Sequence, residues 1–191
     1  MVKNIARAAA RAVGKVTKRP QGRAKAIAHG SITTRCYRDG EMLWEDSSPN
    51  IVFNAGLTYA LGVALAGTSQ EASWFCGLLD ASPTFSATNT WTDISTIGEL
   101  TEYSASTRPT WKVSVTGVGS GFNGWSTTSV AKYTISAAVT CGGVFLCSTE
   151  VSGAAGGTIY SGVAFSGGDR ILAASDKLEV TYTQSIADDG S

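Results

Sequence analysis

From residue 73 onward the chain is written in short stretches in which apolar and polar residues alternate, each closed off by a cluster of Gly, Ser, Asn or Asp. A period of two places successive side chains on opposite faces of an extended backbone, so these stretches are constrained to be strands joined by tight turns. Residues 73–80, 110–116, 129–140, 143–148, 158–165 and 177–184 fit that description. In the last of them Leu178, Val180 and Tyr182 fall on one face, while Lys177, Glu179, Thr181 and Thr183 fall on the other. Such a strand has one dry and one wet side. Six to eight short strands at this spacing predict a mainly β fold, a β-sandwich or jelly-roll-like domain.

Ahead of these strands, residues 31–38 alternate well enough for a strand, Asp39-Gly40 is a strong hairpin turn signal, and residues 42–45 return as its partner. Residues 54–66 place Leu57, Leu61 and Leu65 at helical spacing, which predicts one internal helix buried on its leucine side. Residues 81–109 show weak periodicity and contain Trp91, Asp93, Glu99, Glu102 and Arg108. A connection of that length in a compact domain is expected to be a functional or interface-forming loop. At 191 residues the chain holds one domain with its own core. We divide it into an arm and linker at 1–30 and a β-rich domain at 31–191.

The formal net charge of zero conceals a split. Residues 1–38 hold ten Lys or Arg and no acid, whereas residues 39–191 hold five basic and fifteen acidic side chains. Residues 3–18 read as an amphipathic helix with Lys3, Arg7, Arg11 and Lys15 along one side and Ile5, Ala9, Val13 and Val16 along another. Helix propensity alone barely sustains sixteen residues in water, so the arm is expected to order against a partner. Ten cations could neutralise nucleic-acid phosphates, but an apolar stripe has no use in a purely electrostatic tail. Docking to protein is therefore favoured, through Lys3, Ile5, Arg7, Arg11, Val13, Lys15, Val16, Lys18 and Arg19, with nucleic acid the disfavoured partner. No run of eighteen apolar residues supports a membrane span, and Arg7, Arg11 and Lys15 interrupt any signal-peptide core.

Catalytic chemistry finds little to work with. His29 is the one histidine and sits beside the basic linker, so a nucleophile–histidine system would need it to reach back into the domain. Glu99 and Glu102 could in principle flank a glycosidic bond, but scattered surface acids are the commoner arrangement. Cys36, Cys76, Cys141 and Cys147 lie in apolar runs without metal-type spacing and are expected as buried free thiols. The glycines of 117–121 are followed by neither Lys-Ser nor a helical pattern, so a phosphate loop is not indicated. The expectation is no catalytic residue, no metal and no cofactor. Among the aromatics, Trp74 and Trp111 sit in apolar strand patterns and are expected in the core. Trp91 and Trp125 lie in polar, Thr- or Gly-rich surroundings and are candidate surface contacts.

The ordered succession SITTRCYRDGEMLWEDSSPNIVFNAGLTYAL, SWFCGLLDASPTFSATNTW, GELTEYSASTRPTWKV and GGVFLCSTEVSGAAGGTIYSGVAFSGGDRILAASDKLEVTYT, spanning 31–186, resembles a family of tailed-bacteriophage structural proteins from head, neck and tail gene clusters, especially of short-tailed phages. The resemblance rests on the order and character of the segments. It implies a non-enzymatic virion component, made in the host bacterial cytoplasm and present as a homo-oligomer. Capsid, portal, adaptor or tail proteins would then be the partners of its arm. Capsid decoration or head-to-tail attachment is the leading expectation. The alternatives are a short tail fibre or receptor-binding protein that recognises a host glycan or surface protein, and a DNA-associated internal virion protein.

Overall fold

The structure, a computed structural model, describes residues 26–80, 83–111, 126–153 and 156–188. The arm positions Lys3 to Arg19, together with Trp125 and the 117–121 glycines, lie outside the described residues. The described chain is mainly β and antiparallel throughout. Strands β1 (Ala26–Arg38) and β2 (Glu41–Pro49) form the predicted hairpin. Its turn residues Asp39 and Gly40 both have positive φ, 53° and 87°, the geometry for which Asp-Gly is selected. With β7 (Ser126–Thr134) and β12 (Lys177–Asp188) they build a four-stranded sheet in the order β2-β1-β12-β7.

A second sheet runs β3-β10-β9-β4-β5, from β3 (Ile51–Val52), β4 (Trp74–Leu79), β5 (Glu99–Leu100), β9 (Gly143–Cys147) and β10 (Ile159–Ala164). Strand β6 (Thr110–Trp111) also pairs with β4, setting Trp74 opposite Trp111. A short pair joins β8 (Val139–Cys141) to β11 (Arg170–Leu172).

Register explains the core. Leu178 lies opposite Cys36 and Tyr133, Val180 opposite Thr34 and Ala131, and Tyr182 opposite Ile32. A period of two keeps all of these on one face. They share one buried cluster with Trp74, Cys76, Leu78, Val144, Leu146 and Val163 of the second sheet. The other face of the four-stranded sheet is wet and carries directly opposed charge pairs, Arg35 with Glu45 at 2.6 Å and Lys132 with Glu179 at 2.8 Å. Phe53, Leu79, Ile94, Phe145, Cys147 and Ile159 form a second buried cluster. Gly77 on β4 makes room for it: a Cβ there would run into the Phe145 ring.

Two expectations are corrected. The internal helix α1 (Asn54–Leu65) is present, but its leucines point outward, with Leu57, Leu61 and Leu65 exposed by 37%, 60% and 83%. The inward stripe is Gly56, Tyr59, Ala60 and Val63, because only a residue without a side chain lets the helix rest on β10: a Cβ on Gly56 would meet the Tyr160 carbonyl oxygen at 2.5 Å. Residues 83–109 are not one long loop. They contain α2 (Trp91–Ile97) and β5, with the Thr90 N–H and Oγ1 donating to Asp93 Oδ2 at 2.6 and 2.9 Å and Gly98 ending the helix at φ 96°.

Two buried carboxylates pin the connections. Asp46 accepts hydrogen bonds from Ser48 Oγ, Ser166 N and Oγ, and Gly167 N at 2.9 to 3.2 Å, tying β2 to the turn after β10. Asp176 accepts from Arg38 Nε and Nη2 at 2.7 and 2.9 Å and from Ala173 N at 2.8 Å, fixing the turn into β12 where Ser175 has φ 74°. No helix among the described residues is long and apolar enough to cross a membrane.

Candidate interaction surface

α1 contains no charged residue. It stands as a ridge topped by Leu57, Leu61 and Leu65, with a hollow on either flank. The first, about 310 Å³, lies between α1 and the sheets and is walled by Tyr59, Val63, Trp74, Trp111, Tyr160 and Ile186. The second, about 800 Å³, runs from Ala55, Thr58 and Gly62 to Trp91, Gly157 and Ile159. None of the described residues lining either hollow is charged. The larger hollow mixes polar Asn and Thr side chains with apolar ones, whereas the crest of Leu57, Leu61 and Leu65 beside the aromatic first hollow is an apolar surface of the kind that soluble monomers seldom leave open.

The wall of the first hollow is rigid. Trp74 meets Tyr59 and Tyr160 edge-on at 5.1 and 5.3 Å, and Trp111 meets Tyr182 edge-on at 5.1 Å. Tyr182 is held from the other side: Asn50 Nδ2 and Ser161 Oγ donate to its hydroxyl at 2.7 and 2.9 Å, and the hydroxyl donates to Gln184 Oε1 at 2.7 Å. Burial raises its pKa far above the ordinary tyrosine value. Trp111 is 5% exposed, and its Nε1–H is buried with no acceptor.

Trp91, a candidate contact residue, is the first residue of α2 and half-buried. Its Nε1–H donates to the Gly157 carbonyl at 3.0 Å, its ring packs edge-on against Phe145 at 6.1 Å, and the Arg108 guanidinium lies over it at 5.5 Å. It therefore has a structural role as well as a face on the larger hollow. Arg108 itself is buried. Its Nε and Nη2 donate to Glu99 Oε1 and Oε2, both at 2.7 Å, and its Nη1 donates to the Thr149 carbonyl at 2.8 Å. Burial opposes the charge on Arg108, and the Glu99 hydrogen bonds and charge more than offset it, leaving its pKa raised.

Glu99 and Glu102, the acids weighed for catalysis, and Asp93 beside them in sequence are each engaged within the fold. Glu99 holds Arg108 and accepts from Gly153 N at 2.7 Å, Asp93 holds the start of α2, and Glu102 accepts from Thr101 N at 3.0 Å. The structure does not bring them together with His29, which lies on β1 opposite Ser185. Among the described residues no group of three His, Cys, Asp or Glu is placed to hold a metal ion. All four cysteines are free and buried, and desolvation pushes the thiols of Cys36 and Cys147 up to about 11 and that of Cys141 to about 12.

Sequence reasoning missed the α1 flanks and the Asp46, Asp176 and Arg108 anchors. Asp46 and Asp176 each have one partner within three residues, but the contacts that pin the fold, from Ser166, Gly167 and Arg38, come from 120 to 138 residues away, where no local pattern reports them. No protein-family model, curated protein or solved structure matches the chain.

Proposed function

We propose that the chain is a non-enzymatic structural subunit of a tailed-phage virion, present in several copies and serving capsid decoration or head-to-tail attachment. In this reading the two larger sheets pack as a β-sandwich, the basic arm anchors the subunit, and the β domain, which the structure starts at Ala26 of β1 and not at residue 31, projects from it. One observation carries the assembly role: the leucine crest of α1, between two hollows with no charged lining, is a surface suited to burial against protein. The phage context is supported by the segment resemblance over 31–186, and the arm's role by its eight cations without an acid through residue 25.

The test is to assemble particles with a chain lacking residues 2–25. The shortened chain is expected to stay soluble and folded but to be missing from purified particles. Normal incorporation overturns the arm's role. Locating the full-length subunit by imaging decides the site: hundreds of copies mean capsid decoration, and small symmetric multiples mean neck or tail. A fibre-tip location that contacts a host receptor overturns the attachment reading.

A further inference from the structure

We propose that the hollow between α1 and strands β4, β6 and β12 seats the N-terminal segment, residues 1–25, of a neighbouring copy, so that subunits are linked by exchanged arms. This rests on the reading of the chain as a multi-copy structural subunit, and it names the arm's partner.

The hollow itself selects the class of occupant. Among the described residues its lining carries no charge and, Gln70 and Gln184 apart, is aromatic or aliphatic, so the docking face of whatever enters must be largely apolar. A sugar would need an open ring face to stack on. Trp74 and Trp111, at 7% and 5% exposure and already met by neighbouring ring edges, offer none. A polypeptide segment with small apolar side chains is the remaining fit, and about 310 Å³ accommodates a few such side chains, not a whole helix.

Two observations single out this chain's own arm. The first is position. The arm joins the domain at the hollow's rim, since Ala28 and Gly30 of β1 pair with Ile186 and Gln184 of β12, and both of those partners line the hollow. The thirteen residues from Ala26 back to Val13 span at most about 45 Å, enough to cross to an adjoining subunit. The second is charge. Residues 1–25 carry eight basic side chains and no acid, while residues 26–191 carry seven basic and fifteen acidic ones, so arm and domain are +8 and −8. The arm of one copy is thus drawn to the domain of the next, with Ile5, Ala9, Val13 and Val16 available for the hollow and the cationic side left outside it. Each copy then gives one arm and receives one, a head-to-tail contact that closes into a ring when the rotation permits.

Full-length chains carrying Val13→Cys are mixed with full-length chains carrying Ala60→Cys under mild oxidation. Ala60 lines the hollow, and the four native thiols are buried and stay out of the reaction. A disulfide-linked heterodimer is expected at about tenfold or greater yield over a control that pairs Val13→Cys with Glu41→Cys on the exposed start of β2, because a docked segment experiences millimolar rather than micromolar effective concentration. Equal yields at the two positions overturn the proposal. So does a disulfide that forms only when Val13→Cys and Ala60→Cys share one chain, which would mean the arm folds back on its own domain. The outcomes separate from those of the functional reading: an arm that is required for particle incorporation but gives no excess of heterodimer sinks the exchange and leaves the structural subunit standing. Particle entry without the arm overturns the arm's anchoring role alone, and an excess of heterodimer then leaves the exchange standing.

Discussion

Replacing Arg108 with Ala tests the most tightly specified polar contact in the fold. The guanidinium makes two parallel hydrogen bonds to Glu99 at 2.7 Å, a third to the Thr149 carbonyl at 2.8 Å, and lies 5.5 and 5.3 Å from the Trp91 and Phe145 ring centres. Its side chain is fully buried and that of Glu99 is 7% exposed. Truncation removes one member of a buried pair and leaves the Glu99 carboxylate desolvated, with Gly153 N–H at 2.7 Å still donating to it. The cost of such a break is about 3 to 5 kcal/mol. In urea, with a slope of about 2 kcal/mol per M for a domain of this size, the unfolding midpoint should fall by about 2 M at unchanged slope. The double variant Arg108→Met with Glu99→Leu removes both charges and should recover most of the loss, because two matched charges cost nearly as much to desolvate as they return. A single-variant loss under about 1 kcal/mol, the range of exposed pairs, would mean that water reaches the pair and would refute the argument from burial.

Acid should unfold the domain through Asp46 and Asp176. Their hydrogen bonds hold both carboxyls below the ordinary range in the folded state. The stability this gives is complete above the unfolded-state value of about 3.9 and drains away as pH falls through the lowered folded values. Asp176→Asn should flatten that part of the stability profile, and an unchanged acid limb would show that the Arg38 contact does not form in solution. Gly56→Ala should destabilise by about 1 to 3 kcal/mol despite a helix-propensity gain of about 1, since its Cβ would meet the Tyr160 carbonyl. A gain in thermal stability would mean that α1 does not rest on β10.

The strands were legible where the period of two coincided with burial on one face, as in 177–184, and the hairpin was legible because Asp39 and Gly40 supply the two positive φ angles that its turn needs. β11 (Arg170–Leu172) went unread, being three residues long and held by pairing to β8, which a local pattern cannot report. α2 left a readable mark, Thr90 with Asp93 three residues on and Gly98 at the end, that weak hydrophobic periodicity hid. Of the candidate contact residues, Trp91 lies at the edge of the larger hollow but is bound into the fold through Gly157 and Phe145, so its polar sequence surroundings described only part of its setting.

The misassigned face of α1 shows why the surface was harder to read than the core. Leucine spacing identifies a buried side only when the opposite side is polar, and α1 has no charge to mark its wet face. What decides the orientation is one close approach, Gly56 against the backbone of β10, and a glycine in a helix carries no hydrophobic signal. Seating the small side inward leaves the leucines outward on a domain that otherwise arranges its charges with care, opposing them across strands and burying them in pairs. Three leucines left exposed on an uncharged helix of such a domain are costly in isolation and stabilising once covered, at about 25 cal/mol for each Å² of apolar surface removed from water. In the proposed reading the exposed crest and the hollows beside it form the interface that covers these leucines.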